Sequence, residues 1–189
     1  MSVLNNAYAP HSISFSLTNL TTTVSANFSQ PNINNIFETI MPSLHSGDWS
    51  TLNIYIVPNL MINMGWLGYC SLPDLAAYPE AGPGELPLSR DGCIVDIATL
   101  PGVGFSTNKS SDQADSGVRY TTNSGMDPEK TLGMTVVHEV GHWFGLLHVF
   151  YPENSPSCVG DGDFVSDTPL QKAPSTGCRF LSAPSVYVR

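Results

Sequence analysis

The run His138-Glu139-Val140-Gly141-His142-Trp143-Phe144-Gly145-Leu146-Leu147-His148 constrains the fold more than any other part of the chain. On a helix, two histidines four residues apart lie one above the other on one face. That is the geometry in which two imidazoles share one zinc ion. Glu139 follows the first of them and is placed to take a proton from the water that such an ion activates. Gly145 adopts the left-handed conformation at little cost and ends the helix. The chain then turns back, and His148 supplies a third nitrogen. Three protein ligands leave zinc a fourth, open position, as in catalytic sites and not in structural ones. A core helix carrying incidental histidines would explain the pair alone, but not the added Gly145 and His148 at these offsets.

The segments around this run supply a scaffold. Ile13, Phe15 and Leu17 alternate with serine and predict an early strand with one buried face. Ile33, Ile36, Phe37, Ile40, Met41 and Leu44 fall at helical spacing, with Pro42 expected to kink or end that helix. Leu52 to Val57 and Cys93 to Ala98 are rich in β-branched residues and predict two further strands. Residues 71–90 and 101–117 are crowded with Pro, Gly and Ser and read as loops. Residues 117–122 form a short edge strand, a place where an extended peptide could add. Asp127 before Pro128, or else Thr131, is the expected N-cap of the histidine helix, which runs to about Phe144.

At 189 residues the chain reads as a single domain. Seven Lys plus Arg against sixteen Asp plus Glu give a net charge of -9, which argues against nucleic acid or an anionic membrane as partner. No apolar run is long enough to span a bilayer. The first ten residues lack the basic start and apolar stretch of a signal peptide, so a secreted protein would carry its leader upstream. Export is indicated by the even number of cysteines and by sequons at Asn19, Asn27 and Asn108. Cys70 and Cys93 flank the Pro- and Gly-rich loop and are expected to form a disulfide. Cys158 and Cys178 either pair with each other or stay free. Asp161, Asp163, Asp167 and Thr168 bring carboxylates together downstream. They form either a set of turns, in which Asp bonds its own backbone, or a calcium site.

The His138–His148 run fits the extended zinc signature of metzincin peptidases. With the stretches Leu52-Asn-Ile-Tyr55, Leu67-Gly-Tyr-Cys70, Asp91-Gly-Cys93-Ile-Val95, Asp163-Phe-Val-Ser-Asp-Thr-Pro169 and Gly177-Cys178, the chain resembles the pappalysin group, and within it the secreted fungal and bacterial members. The resemblance covers about Leu52 to Cys178. It implies an α+β, metzincin-like fold: a twisted mixed sheet, a backing helix and an active-site helix. Residues 1–148 would form the upper subdomain and 149–189 part of the lower one. It also implies zinc-dependent endopeptidase activity on proteins or peptides, with calcium bound in some members near the Asp-rich loop. In one respect the pattern departs. All six Met residues precede His148, so the family's Met-turn has no counterpart, nor does the Tyr that follows it, since Tyr151 is too close and Tyr187 lacks a Met partner. The chain reads as stopping before that turn. A zinc-binding protein with little or no proteolytic activity is therefore the alternative expectation. Oligomeric state is not indicated.

Overall fold

A computed structural model describes residues 1–25, 28, 30–73, 87–106, 119–121, 132–150 and 162–174. The chain divides into two compact units, Met1–Phe144 and Gly145–Arg189.

The first unit opens with a helix that sequence patterning does not suggest, α1 (Ser2–Tyr8). Leu4 and Tyr8, four apart, make its buried face. Residues 13–25 are not a strand, contrary to the alternation of Ile13, Phe15 and Leu17. The side chain of Asn5 takes the place of a partner strand. Its amide donates to the Phe15 carbonyl at 3.0 Å, and its oxygen accepts from the Phe15 N–H at 2.7 Å. Ile13 and Phe15 still pack inward, Phe15 edge-on to Tyr8 with ring centroids 5.6 Å apart. Asn19 is exposed.

The second helical stretch starts at Asn32, which exchanges hydrogen bonds with Asn35 in a reciprocal cap. It runs as α2 (Ile33–Asn35), a π-helical turn (Ile36–Ile40) and α3 (Met41–Leu44). Proline lacks an N–H, and its ring collides with the carbonyl four residues back. The wide turn immediately before Pro42 makes room for that ring, so the helix widens instead of ending there.

The strand β1 (Ile54–Val57) is followed by α4 (Leu60–Met64), then β2 (Gly68–Cys70) and β3 (Cys93–Asp96). β3 lies in the middle, parallel to β1 and antiparallel to β2, with Ile54 opposite Cys93 and Gly68 opposite Val95. All four β3 residues are buried, as expected for a strand covered on both faces. On one face Ile94, Tyr55 and Val57 pack with Ile36, Ile40, Met41 and Leu60. On the other, Cys93 and Cys70 pack with Leu4, Tyr8 and Val140. Asp96, fully buried at the end of β3, accepts from the N–H groups of Ala98 and Met61 at 2.9 Å each. β4 (Gly104–Ser106) and β5 (Arg119–Thr121) pair antiparallel as a separate ribbon. The last element is α5 (Met134–Trp143), preceded by Gly133 with φ of 77°. Asp127 and Thr131 lie outside the described residues. Among those residues, no helix is long and apolar enough to cross a membrane.

In the second unit, the Gln171 N–H donates to the Val149 carbonyl at 3.2 Å. Gly162 and Phe164 both adopt positive φ, 57° and 61°, in the turn that carries Asp163.

Candidate active site

The helix α5 carries the site, and its two faces divide the labour. Val136, Val140 and Trp143 point to the core, and Glu139 is buried among them. His138 is exposed and His142 half-buried on the adjoining face. Gly145 follows with φ of 88°, the conformation that stops the helix.

The Nε2 atoms of His138 and His142 lie 3.1 Å apart, with rings edge-on and centroids 4.7 Å apart. Two nitrogens of a tetrahedral zinc site with ordinary Zn–N bonds are separated by about 3.3 Å. The pair therefore fits two ligands of one such ion with little adjustment. His148 lies in the second unit, half-buried, with its ring stacked on Phe150 at a centroid distance of 4.6 Å.

Glu139 is 6 % exposed, unusual for a carboxylate. Burial pushes its carboxyl up to about 7. It lies against β2 at Gly68: a Cβ built on that glycine would come within 2.6 Å of Cγ and 2.7 Å of Oε1 of Glu139. Next to Gly68, Tyr69 stacks on Trp66 and meets Phe37 edge-on. Burial first, and then the charge of Glu139, raise the Tyr69 hydroxyl above its ordinary range.

The C-terminal turn of α5 is tied to the sheet. Trp143 donates its indole N–H to the buried carboxylate of Asp91, at 3.0 Å to Oδ1 and 3.2 Å to Oδ2. The Ser71 hydroxyl donates to the same Oδ1 at 3.0 Å. Cys70 and Cys93, directly opposite on β2 and β3, are joined by a disulfide with 23 residues of separation. At the other end of the helix, the Tyr8 hydroxyl donates to the Val137 carbonyl at 3.0 Å. Gly68, Tyr69, Ser71 and Asp91 acquire these roles only in three dimensions. In sequence, nothing marks Gly68 except its place in the Leu67-Gly-Tyr-Cys70 stretch.

A cavity of about 800 Å³ opens on another side of α5, lined by Phe15, Leu52, Ile54, Val136, Trp143 and Phe144 among others. Neither Glu139 nor any of the three histidines lines it, so it is separate from the site. Of the acidic residues downstream, Asp163 accepts from the Val165 N–H at 3.1 Å, which is the bonding of a turn. Asp167 is exposed and Thr168 half-buried, its N–H bonded to the Val165 carbonyl at 3.1 Å. Asp161, Cys158, Cys178, Asn27 and Asn108 lie outside the described residues.

Residues 88–180 match the model of the peptidase family described as pregnancy-associated plasma protein-A. This segment is similar to pappalysin-type peptidases. Curated relatives are similar over nearly the whole chain. An extracellular metalloprotease of Colletotrichum graminicola is 36% identical over 178 residues, 94% of this chain and 50% of the relative. Extracellular metalloprotease 1 of Coccidioides posadasii is 38% identical over 176 residues, 93% of this chain and 50% of the relative. An extracellular metalloprotease of Podospora anserina is 38% identical over 177 residues, 94% and 48%. The chain thus spans about half the length of these relatives. No solved structure matches. That family has a metzincin-like fold and a metal, and the small mixed sheet with its helices agrees with that fold.

Proposed function

We propose that this chain is the zinc-binding part of a secreted endopeptidase. His138, His142 and His148 hold the ion, and Glu139 serves as general base. One observation carries the proposal: a buried carboxyl held on the same helical turn as two imidazole nitrogens 3.1 Å apart. His148 offers the third nitrogen. It is four residues beyond Phe144, and that tether reaches about 14 Å at most.

Zinc, when bound, polarises a carbonyl oxygen and makes water acidic near neutral pH. Glu139 accepts the proton of the attacking water and passes it to the leaving amine. Its burial excludes bulk water as a competing proton carrier. Peptides in extended conformation are the substrate class. Among the described residues β2 is an outer strand of its sheet, and a peptide adding along its free edge would pass Glu139 at Gly68. Secretion is supported by the relatives' description as extracellular and by the Cys70–Cys93 bond. Calcium is not part of the proposal; the bond described for Asp163, from the Val165 N–H, is that of a turn.

The test compares the chain with His142→Ala and Glu139→Gln variants. Zinc per chain is measured after dialysis, and chelator-sensitive cleavage on a quenched peptide. His142→Ala should lose most of the metal. Glu139→Gln should keep it and lose turnover ~100- to 10,000-fold, the usual contribution of a positioned base. Equal zinc in all three proteins, or full turnover in Glu139→Gln, would overturn the assignment.

A further inference from the structure

Gly68 is a glycine for which the backbone gives no reason. It lies in the ladder of β2 opposite Val95, and it is absent from the glycines with positive φ. Any residue could adopt its conformation, and in a strand glycine is less favourable than alanine. What the position lacks is room. A Cβ there would approach Glu139 to 2.6 Å at Cγ, 2.7 Å at Oε1 and 2.9 Å at Cδ, closer than non-bonded carbon atoms ever come.

Neither backbone is free to relieve that collision. β2 is joined to β3 by its hydrogen bonds and by the Cys70–Cys93 disulfide. α5 is held at one end by the Tyr8 hydroxyl on the Val137 carbonyl and at the other by Trp143 on Asp91. The Glu139 side chain, with three rotatable torsions, is the part that yields.

We propose that Gly68 is the positioning residue for Glu139: its missing side chain is the seat in which the carboxyl of the base lies. The proposal rests on Glu139 being the general base, and it explains how that group is held. A methyl group at position 68 costs the fold little, because the strand itself favours alanine. It costs the chemistry a great deal, because displacing a catalytic group by about 1 Å lowers turnover ~100-fold. Loss of turnover without loss of metal or stability is the expected signature.

The experiment uses the full chain loaded with zinc and the variants Gly68→Ala, Glu139→Gln, Glu139→Ala and Gly68→Ala/Glu139→Ala. The readouts are zinc content, melting temperature, kcat and KM on a quenched peptide, and the carboxyl ¹³C resonances of labelled glutamate. The chain has only six glutamates, and the Glu139 signal is assigned by its loss in Glu139→Gln. Gly68→Ala should retain zinc, KM and melting temperature, displace the Glu139 resonance, and lower kcat ~100-fold. Should Gly68→Ala prove unstable, the double variant, in which the collision is gone, should melt no lower than Glu139→Ala. An unmoved Glu139 resonance with unchanged kcat would overturn the proposal. So, where Gly68→Ala is unstable, would a double variant that melts below Glu139→Ala. Failure of the general-base assignment would look different: full turnover in Glu139→Gln, with the Gly68→Ala resonance still displaced.

Discussion

The buried carboxyl of Glu139 makes the metal-free protein sensitive to pH in a direction opposite to that of most carboxylates. Its pKa rises from 4.5 to about 7 on burial. Between those values the folded chain holds a proton that the unfolded chain has released, so stability falls as pH rises. Below 4.5 both states are protonated and the full stability is present; above 7 the loss is complete. At 1.36 kcal/mol per pH unit, that interval corresponds to about 3 kcal/mol, a large fraction of the stability of a small domain. With only 6 % of the residue exposed, water does little to screen the cost. Glu139→Gln removes the titration while keeping the shape. In chelator, the variant should be more stable than wild type by about 3 kcal/mol at pH 8 and by about 1 kcal/mol at pH 5. Urea unfolding followed by tryptophan fluorescence measures both. Zinc should narrow the difference at pH 8, because a cation near the carboxylate favours its charged form. A stability difference equal at the two pH values would refute the argument, since it would mean that Glu139 ionises as readily folded as unfolded.

Two further outcomes follow from the ties around α5. Trp143→Phe keeps an aromatic six-membered ring but removes the pyrrole half of the indole with its N–H donor to Asp91, leaving a buried carboxylate short of a partner, and should cost at least about 1.5–3 kcal/mol in urea unfolding. An unchanged urea midpoint would mean that water replaces the indole. Replacing Cys70 and Cys93 together by serine frees a loop with 23 residues of separation and should cost about 3 kcal/mol on the chain-entropy model. Coincident unfolding curves for the variant and the oxidised parent would exclude that contribution.

The parts of this molecule legible in its sequence are those set by neighbours along the chain. The His138–His142 pair follows from helical spacing alone, and the strands at Ile54–Val57 and Cys93–Asp96 from runs of β-branched residues. Alternation at Ile13, Phe15 and Leu17 reports the inward side of the chain at Ile13 and Phe15 but fails at Leu17, which is exposed, and it does not say what satisfies the backbone. Here an asparagine side chain does so instead of a strand. The opening helix is missed because Ser2–Tyr8 contains only seven residues, two of them asparagine, and owes its helicity to the packing of Leu4 and Tyr8. The seat of Glu139 was not legible at all. Gly68 and Glu139 are 71 positions apart, and a glycine chosen for space looks in sequence like one chosen for a turn.

Among the described residues β2 is an outer strand of three residues, and a strand that short frays easily when nothing but its ladder holds it. The bond from Cys70 to Cys93 fastens it two positions from Gly68. Where thiols stay reduced, as in the cytosol, the strand against which Glu139 lies would be free to lift, and Glu139 would lose its fixed orientation; the Glu139 carbon resonance of the Cys70→Ser, Cys93→Ser protein tests this. A bond that adds only stability could be replaced by better packing. On the proposal that Glu139 is the base of an exported peptidase, one that sets it in place only in an oxidising compartment would also protect the cell in which the chain is made.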